Sequence, residues 1–227
     1  MDAIDNFSGV ALDAMPSVRR GEARVVHVPL VVATPEALRG LGTLVTDFAS
    51  EPVQIVPWPW RGPRPVVSGT GVEGGVSQGV FALRREGGML WGQNHAVGRR
   101  YLVGWYDDPA TARPDVEPTA IDRLWTHEAN HHPDGGQVFF PRGGAPFIAL
   151  LAPPGDDVRP EDFRAFWFDG TCGVQIHAEV WHQPLFPAGE AIVFDDKQGA
   201  VHACVSVDFV GEFGAYLCVP LTLGAAG

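Results

Sequence analysis

Alternation between apolar and polar positions dominates the second half of the chain. Short runs rich in β-branched and aromatic residues, "GQVFFP", "PFIALLAP", "FRAFWF", "GVQIHAEVW", "EAIVFD", "VHACVSVDF" and "AYLCVPL", follow one another between turn residues. Their spacing is roughly the 8 to 12 residues of antiparallel sandwich and barrel strands. Further upstream, "RVVHVPLVV" reads as a strand, and "TPEALRGLG" as a short helix with Thr34 as N-cap, Pro35 in the first turn and Gly40 or Gly42 as the stop. From "PVQIVPWPW" to "MLWGQN", Pro and Gly punctuate short apolar runs, as in successive strands or extended edges. "ATARPDVEPTAIDRLWTHEAN" opens as a loop, interrupted by Pro114 and Pro118. The pattern predicts a mainly β chain, an antiparallel barrel or jelly roll with few short helices. Residues 1–23 form a loose lead-in and residues 24–227 a single domain.

One segment does not obey simple alternation. In "HAEVWHQPLF", residues 177–186, a regular strand would put His177, Glu179 and Trp181 on one face and Ala178, Val180 and His182 on the other. Either only His177 lines a cavity, or a bend between Trp181 and Pro184 brings His182 round to join it. Pro184 favours a break, because it has no N–H to give a ladder.

Composition supports the strand reading: 28 Gly and 20 Pro, with only 19% charged residues, suit many strands joined by turns. A net charge of −11 would repel nucleic acid and anionic lipid, so neither is an expected partner. Cys172, Cys204 and Cys218 form no CxxC and read as reduced, mostly buried thiols. The first 25 residues lack a basic start followed by an apolar run, and no apolar stretch approaches the length of a membrane span, so a cytoplasmic protein is expected. No GxGxxG, GxxxxGK[ST] or GxSxG occurs; "GTGVEGG" at 69–75 is a loop.

Histidines carry the candidate chemistry. His95, His127, His131 and His132 fall in or just before "THEANHHPDGGQVFFPRGG", and His177, His182 and His202 follow. His127, His131 and His202 read as surface or core residues. The first cupin motif, H-x-H, three or four residues, E, six residues, G, is matched in spacing by Asn130, His132, Gln137 and Gly144, with Asn and Gln in place of His and Glu. His177 loosely matches the later motif. A site of His132, His177, Asn130 and Gln137 could hold a divalent metal such as nickel or zinc.

The stretches "HEANHHPDGGQVFFP", "PFIALLAPPGDD", "FRAFWFDGTCGVQIHAEVWHQPLF" and "SVDF" together resemble the ureidoglycolate lyase family, with its HPxxxQ and HxxxWHxPL signatures. The likeness runs in register over residues 120–210, and "VPLVVATPEALRGLG" resembles the family's first strand and helix. Asn130 stands where the family has Glu, Gln183 where it has a second His, and residues 50–110 are longer than in compact members. The resemblance implies elimination: ureidoglycolate splits into glyoxylate and urea. That reaction needs a base for the hydroxyl proton, an acid for the departing nitrogen and a donor cluster for the carboxylate.

His132 and His177 are the expected proton-handling or metal-holding pair, with His182 in support. Gln137 and Asn94 would bind the ureido group, Arg100 or Arg164 the carboxylate, and Asp208 would orient a histidine. Trp181, whose bulk suits a barrel wall, is the remaining candidate contact. A non-catalytic cupin binding a small organic acid or sugar is the alternative, and a homodimer is expected by analogy with other cupins.

Overall fold

The computed structural model of the chain describes residues 23–56, 62–67, 74–96 and 98–224. Residues 1–22 of the 1–23 lead-in, and Trp58 and Trp60, lie outside them. In chain order the first strands are β1 (Arg24–His27), β2 (Leu30–Val32), β3 (Gly42–Val45), β4 (Val66–Val67), β5 (Val76–Glu86), β6 (Met89–Asn94), β7 (Arg99–Trp105), β8 (Arg123–Thr126) and β9 (Glu128–His131). They are followed by β10 (Gln137–Pro141), β11 (Phe147–Ala152), β12 (Arg164–Phe168), β13 (Gly173–Ile176), β14 (Trp181–His182), β15 (Phe186–Pro187), β16 (Ala191–Gly199), β17 (Cys204–Asp208) and β18 (Ala215–Pro220). Among the described residues one α-helix, α1 (Phe209–Phe213), lies between β17 and β18. The architecture is mainly β, as the pattern predicts.

Two sheets result. The first has ten strands in the order β1-β18-β8-β7-β6-β5-β16-β10-β13-β3; the second has eight, β2-β12-β11-β14-β9-β17-β4 with β15 on β11. Only β1 on β18 and β2 on β12 pair in parallel among the described strands. Phe147 of β11 stacks on Phe168 of its own sheet at 4.5 Å and meets Phe194 of β16, in the other sheet, edge to face at 5.1 Å. The unbroken apolar run of β11 is buried throughout, as expected of a strand covered on both faces.

Three predicted elements take a different form. "RVVHVPLVV" is two strands in different sheets: Val28 still donates to Cys218, but Pro29 can donate to nothing, and its carbonyl accepts from Ala165 of the second sheet. "TPEALRGLG" forms successive hydrogen-bonded turns instead of a regular helix. Thr34 Oγ1 caps Ala37 N at 3.1 Å, Leu38 N donates to Thr34 O, and Gly40 at φ 82° ends the turns. "GVQIHAEVW" is also broken, with β13 in the first sheet and β14 in the second. Between them Val180 N donates to His177 O, and Glu179 holds φ 66° while its N–H donates to His132 O at 3.2 Å. The bend therefore precedes Trp181, and it reverses which histidine turns inward. No helix among the described residues is long and apolar enough to cross a membrane.

Candidate active site

Strand register builds the site. His182 of β14 is paired with Asn130 of β9, and Asn130 with Ser206 of β17, so three side chains lie abreast across neighbouring strands. Period-two alternation then places Glu128 and Asn130 on one face of β9, with His132 just beyond the strand, and Cys204, Ser206 and Asp208 on the same face of β17. These residues, with Gln137 and Phe139 of β10 and Asn94, Tyr101 and Trp105 from β6 and β7, line a cavity of about 320 Å³. The segment upstream of residue 110 thus contributes one wall.

The histidines of the cavity differ in their electrostatics. His182 Nδ1 donates to Val180 O at 2.8 Å, leaving Nε2 as an acceptor, and burial, helped by the neighbouring charge of His132, lowers its pKa to about 3. His132 lies 5.1 Å away, ring to ring. Burial opposes its charge, but the Cys204 sulfur at 3.6 Å, the Ala203 carbonyl at 2.9 Å and Asp134 outweigh that and raise its pKa above the ordinary value. One imidazole is held neutral and its neighbour is held charged. His127, edge-on to Trp105 at 5.3 Å, is pushed down to about 4 by burial, against the pull of Asp208.

An amide network backs the other wall. Gln137 Nε2 donates to Asp196 Oδ1 at 2.8 Å and to Gln198 Oε1 at 2.9 Å, and Asn94 Nδ2 reaches the same Gln198 oxygen at 3.3 Å. Gln137 keeps its carbonyl oxygen as an acceptor. Asn130 Oδ1 is buried without a hydrogen-bond partner among the described residues, so a bound donor would satisfy it. Asp196 is fully buried, and burial raises its carboxyl to about 7 despite the Gln137 hydrogen bond and the charge of His132.

The structure brings His132, His182, Gln137, Asn130, Asn94 and Asp208 to one cavity and leaves other candidates out. Asp208 also caps α1, accepting from Val210 N at 3.0 Å and Gly211 N at 2.8 Å. His177 does not line the cavity: it sits half-buried where the chain leaves the first sheet, its N–H bonded to Leu41 O. The four-ligand set of His132, His177, Asn130 and Gln137 is therefore not assembled. Arg100 pairs with Glu86 at 3.5 Å and covers Trp91 at 4.7 Å, and Arg164 is exposed at the start of β12. Trp181 is wholly buried, its indole N–H bonded to Gly155 O at 2.8 Å and its ring 4.5 Å from His131, which makes it a wall residue. Gln183 is also structural, donating to Thr126 Oγ1 at 2.9 Å.

Sequence reasoning passed over His202 and Cys204. His202 packs against His132 at 4.5 Å, and Cys204 is a half-buried cavity residue. The signal was in "VHACVSVDF", whose alternate positions 202, 204, 206 and 208 are all polar or sulfur-bearing, as one functional face of a strand requires.

Residues 116–209, which carry most of this cavity, match the family model for ureidoglycolate lyase. Over that stretch the chain is similar to ureidoglycolate lyases. It is similar to the ureidoglycolate lyase of Azotobacter vinelandii, 43% identical over 84 residues, which are 36% of this chain and 49% of the relative. The enzyme of the same name from Pseudomonas savastanoi pv. phaseolicola is 46% identical over 85 residues, covering 33% and 49%. That from Salmonella enteritidis is 37% identical over 75 residues, covering 33% and 44%. The chain spans about half the length of the curated relatives it matches.

Proposed function

We propose that this cavity belongs to a carbon–nitrogen lyase that splits ureidoglycolate, or a closely related hemiaminal acid, into glyoxylate and urea. The observation that carries the reading is the pair of facing imidazoles, His182 kept neutral and His132 kept positive, beside amide oxygens in a segment of the matching family. Neighbouring groups whose environments drive their pKa values apart mark an acid–base or charge-holding site.

Each part of the substrate has a counterpart. The carboxylate goes to the positive end at His132. The ureido N–H groups face Gln137 Oε1 and Asn130 Oδ1. His182 Nε2 accepts the hydroxyl proton as the carbonyl forms and the C–N bond breaks. The resulting imidazolium is strongly acidic, because its surroundings disfavour charge, and it returns that proton to the departing urea nitrogen. The proton lost by oxygen is the one gained by nitrogen, so no water or redox partner is consumed. His182, expected only in support of His132 and His177, takes the proton-transfer role in this reading.

The test is release of urea and glyoxylate from racemic ureidoglycolate by purified protein, with and without a chelator. Release of both products in equal amounts supports the reading, and survival of release under chelation assigns the proton transfer to the imidazoles alone. Absence of product in both tubes, even after divalent ions are restored, sinks the named substrate.

A further inference from the structure

We propose that the aromatic side of this cavity is a subsite for an apolar substituent on the outer urea nitrogen, so that the preferred substrate is an N-alkyl or N-benzyl relative of ureidoglycolate and not ureidoglycolate itself. The inference rests on the lyase reading for the polar end of that substrate.

The two sheets furnish the cavity differently. The second sheet contributes Asn130, His182, Cys204 and Ser206 to its lining. The first, apart from Asn94 and Gln137, contributes Phe81, Tyr101, Leu102, Trp105, Phe139 and Tyr216. Phe81 stands edge to face with Phe139 at 5.6 Å and with Tyr101 at 6.1 Å, and Trp105 stands so with Tyr216 at 5.9 Å. Tyr101 and Leu102 are adjacent on β7, and strict alternation would put them on opposite faces. A register shift between β6 and β7 at Leu90 and Trp91 is the kind of irregularity that re-aims side chains. His127, against Trp105, is kept uncharged at neutral pH by burial, and no arginine or lysine lines the cavity among the described residues. The first-sheet side therefore offers a bound group aromatic faces and no charged partner.

Size separates the two substrates. Ureidoglycolate takes the room of about five waters, roughly 150 Å³ at about 30 Å³ each. The cavity holds about 320 Å³, so on the order of half of it is left once the polar groups have met His132, His182, Gln137 and Asn130. An alkyl or phenyl group in that space removes aromatic surface from water, which the unsubstituted acid leaves wet. With the carboxylate at His132, the outer nitrogen is the atom that can carry such a group. The elimination is unchanged: the same C–N bond breaks, the hydroxyl proton ends on the departing nitrogen, and the products are glyoxylate and the substituted urea.

The experiment compares ureidoacetate, which lacks the hydroxyl and cannot eliminate, with its N′-benzyl derivative, by isothermal titration calorimetry on the full chain. The benzyl compound should bind at least tenfold more tightly. Val210→Phe, which places a ring in the space beside Trp105 and Tyr216, should cut that ratio at least fivefold. Tyr101→Ala, which removes a ring from a half-buried position, should also cut it and gives an independent reading if Val210→Phe does not fold. Equal or weaker binding of the benzyl compound overturns the proposal, as does no measurable binding of either ligand, or an unchanged ratio in every variant that folds. Glyoxylate release is read separately. Tighter binding of the benzyl compound, with no glyoxylate from N′-benzylureidoglycolate or from ureidoglycolate, supports the subsite and counts against the lyase reading.

Discussion

Replacing Asp196 by Asn should stabilise the protein, and increasingly so as pH rises. Asp196 is fully buried between β10 and β5; one carboxyl oxygen accepts from Gln137 and the other has no hydrogen-bond partner among the described residues. Burial raises its folded pKa from 3.8 to about 7. A raised carboxyl pKa means that the folded state binds the proton more tightly than the unfolded chain does. Its cost to stability is absent below pH 3.8, grows through the interval up to about 7, and is constant above it.

At about 1.4 kcal/mol per unit, the full cost is roughly 4 kcal/mol above pH 7 and about 1.6 kcal/mol at pH 5. Asn keeps the acceptor for Gln137 and carries no charge. The stability advantage of Asp196→Asn should therefore widen by about 3 kcal/mol between pH 5 and pH 8, or roughly 6 to 12 °C in melting temperature for a chain of this size. Urea denaturation of both proteins at the two pH values, with chelator present, measures the difference. An advantage that is the same at both values, or a variant less stable at pH 8, would refute the assignment of a buried, largely neutral carboxyl.

Other expectations follow from the same geometry. His182→Gln should lower turnover of ureidoglycolate by about 100-fold or more while far-UV circular dichroism is unchanged, because it removes the proton-transfer nitrogen. His177→Ala should keep activity within a few-fold, and a loss equal to that of His182→Gln would restore His177 to the chemistry. Phe147→Ala deletes the ring joining the two sheets and should cost about 3 to 5 kcal/mol in denaturant unfolding. Gly199→Ala would drive its methyl group into the Asp134 carboxylate, which accepts from the His202 and Ala203 N–H groups, and should lower the melting temperature by several degrees; an unchanged value in thermal unfolding would refute that close approach.

Local chemistry made much of this molecule legible in the sequence. Apolar runs between turn residues located β10, β11, β12, β13, β16, β17 and β18 but not the short β14 and β15, because burial on a sheet face leaves its mark only over several residues. The HPxxxQ and WHxPL stretches pointed to His132, Gln137 and His182, all of which reach the cavity. Asn94, Tyr101 and Trp105, upstream of those stretches, add a cavity wall that no motif announced.

Partnership across the sheets was decided only by the tertiary structure. Whether His177 or His182 faces inward depends on a bend at Glu179, held by a hydrogen bond to His132 that joins residues 47 positions apart. His202 and Cys204 become functional candidates only because β17 lies beside β9, which brings them to His132, 70 and 72 positions distant. Arg100 and Arg164 carried the charge a carboxylate needs, but their strands present them elsewhere. A sequence specifies local faces through side-chain periodicity, whereas the meeting of two faces is a non-local contact, fixed by strand order and register and not by residue type.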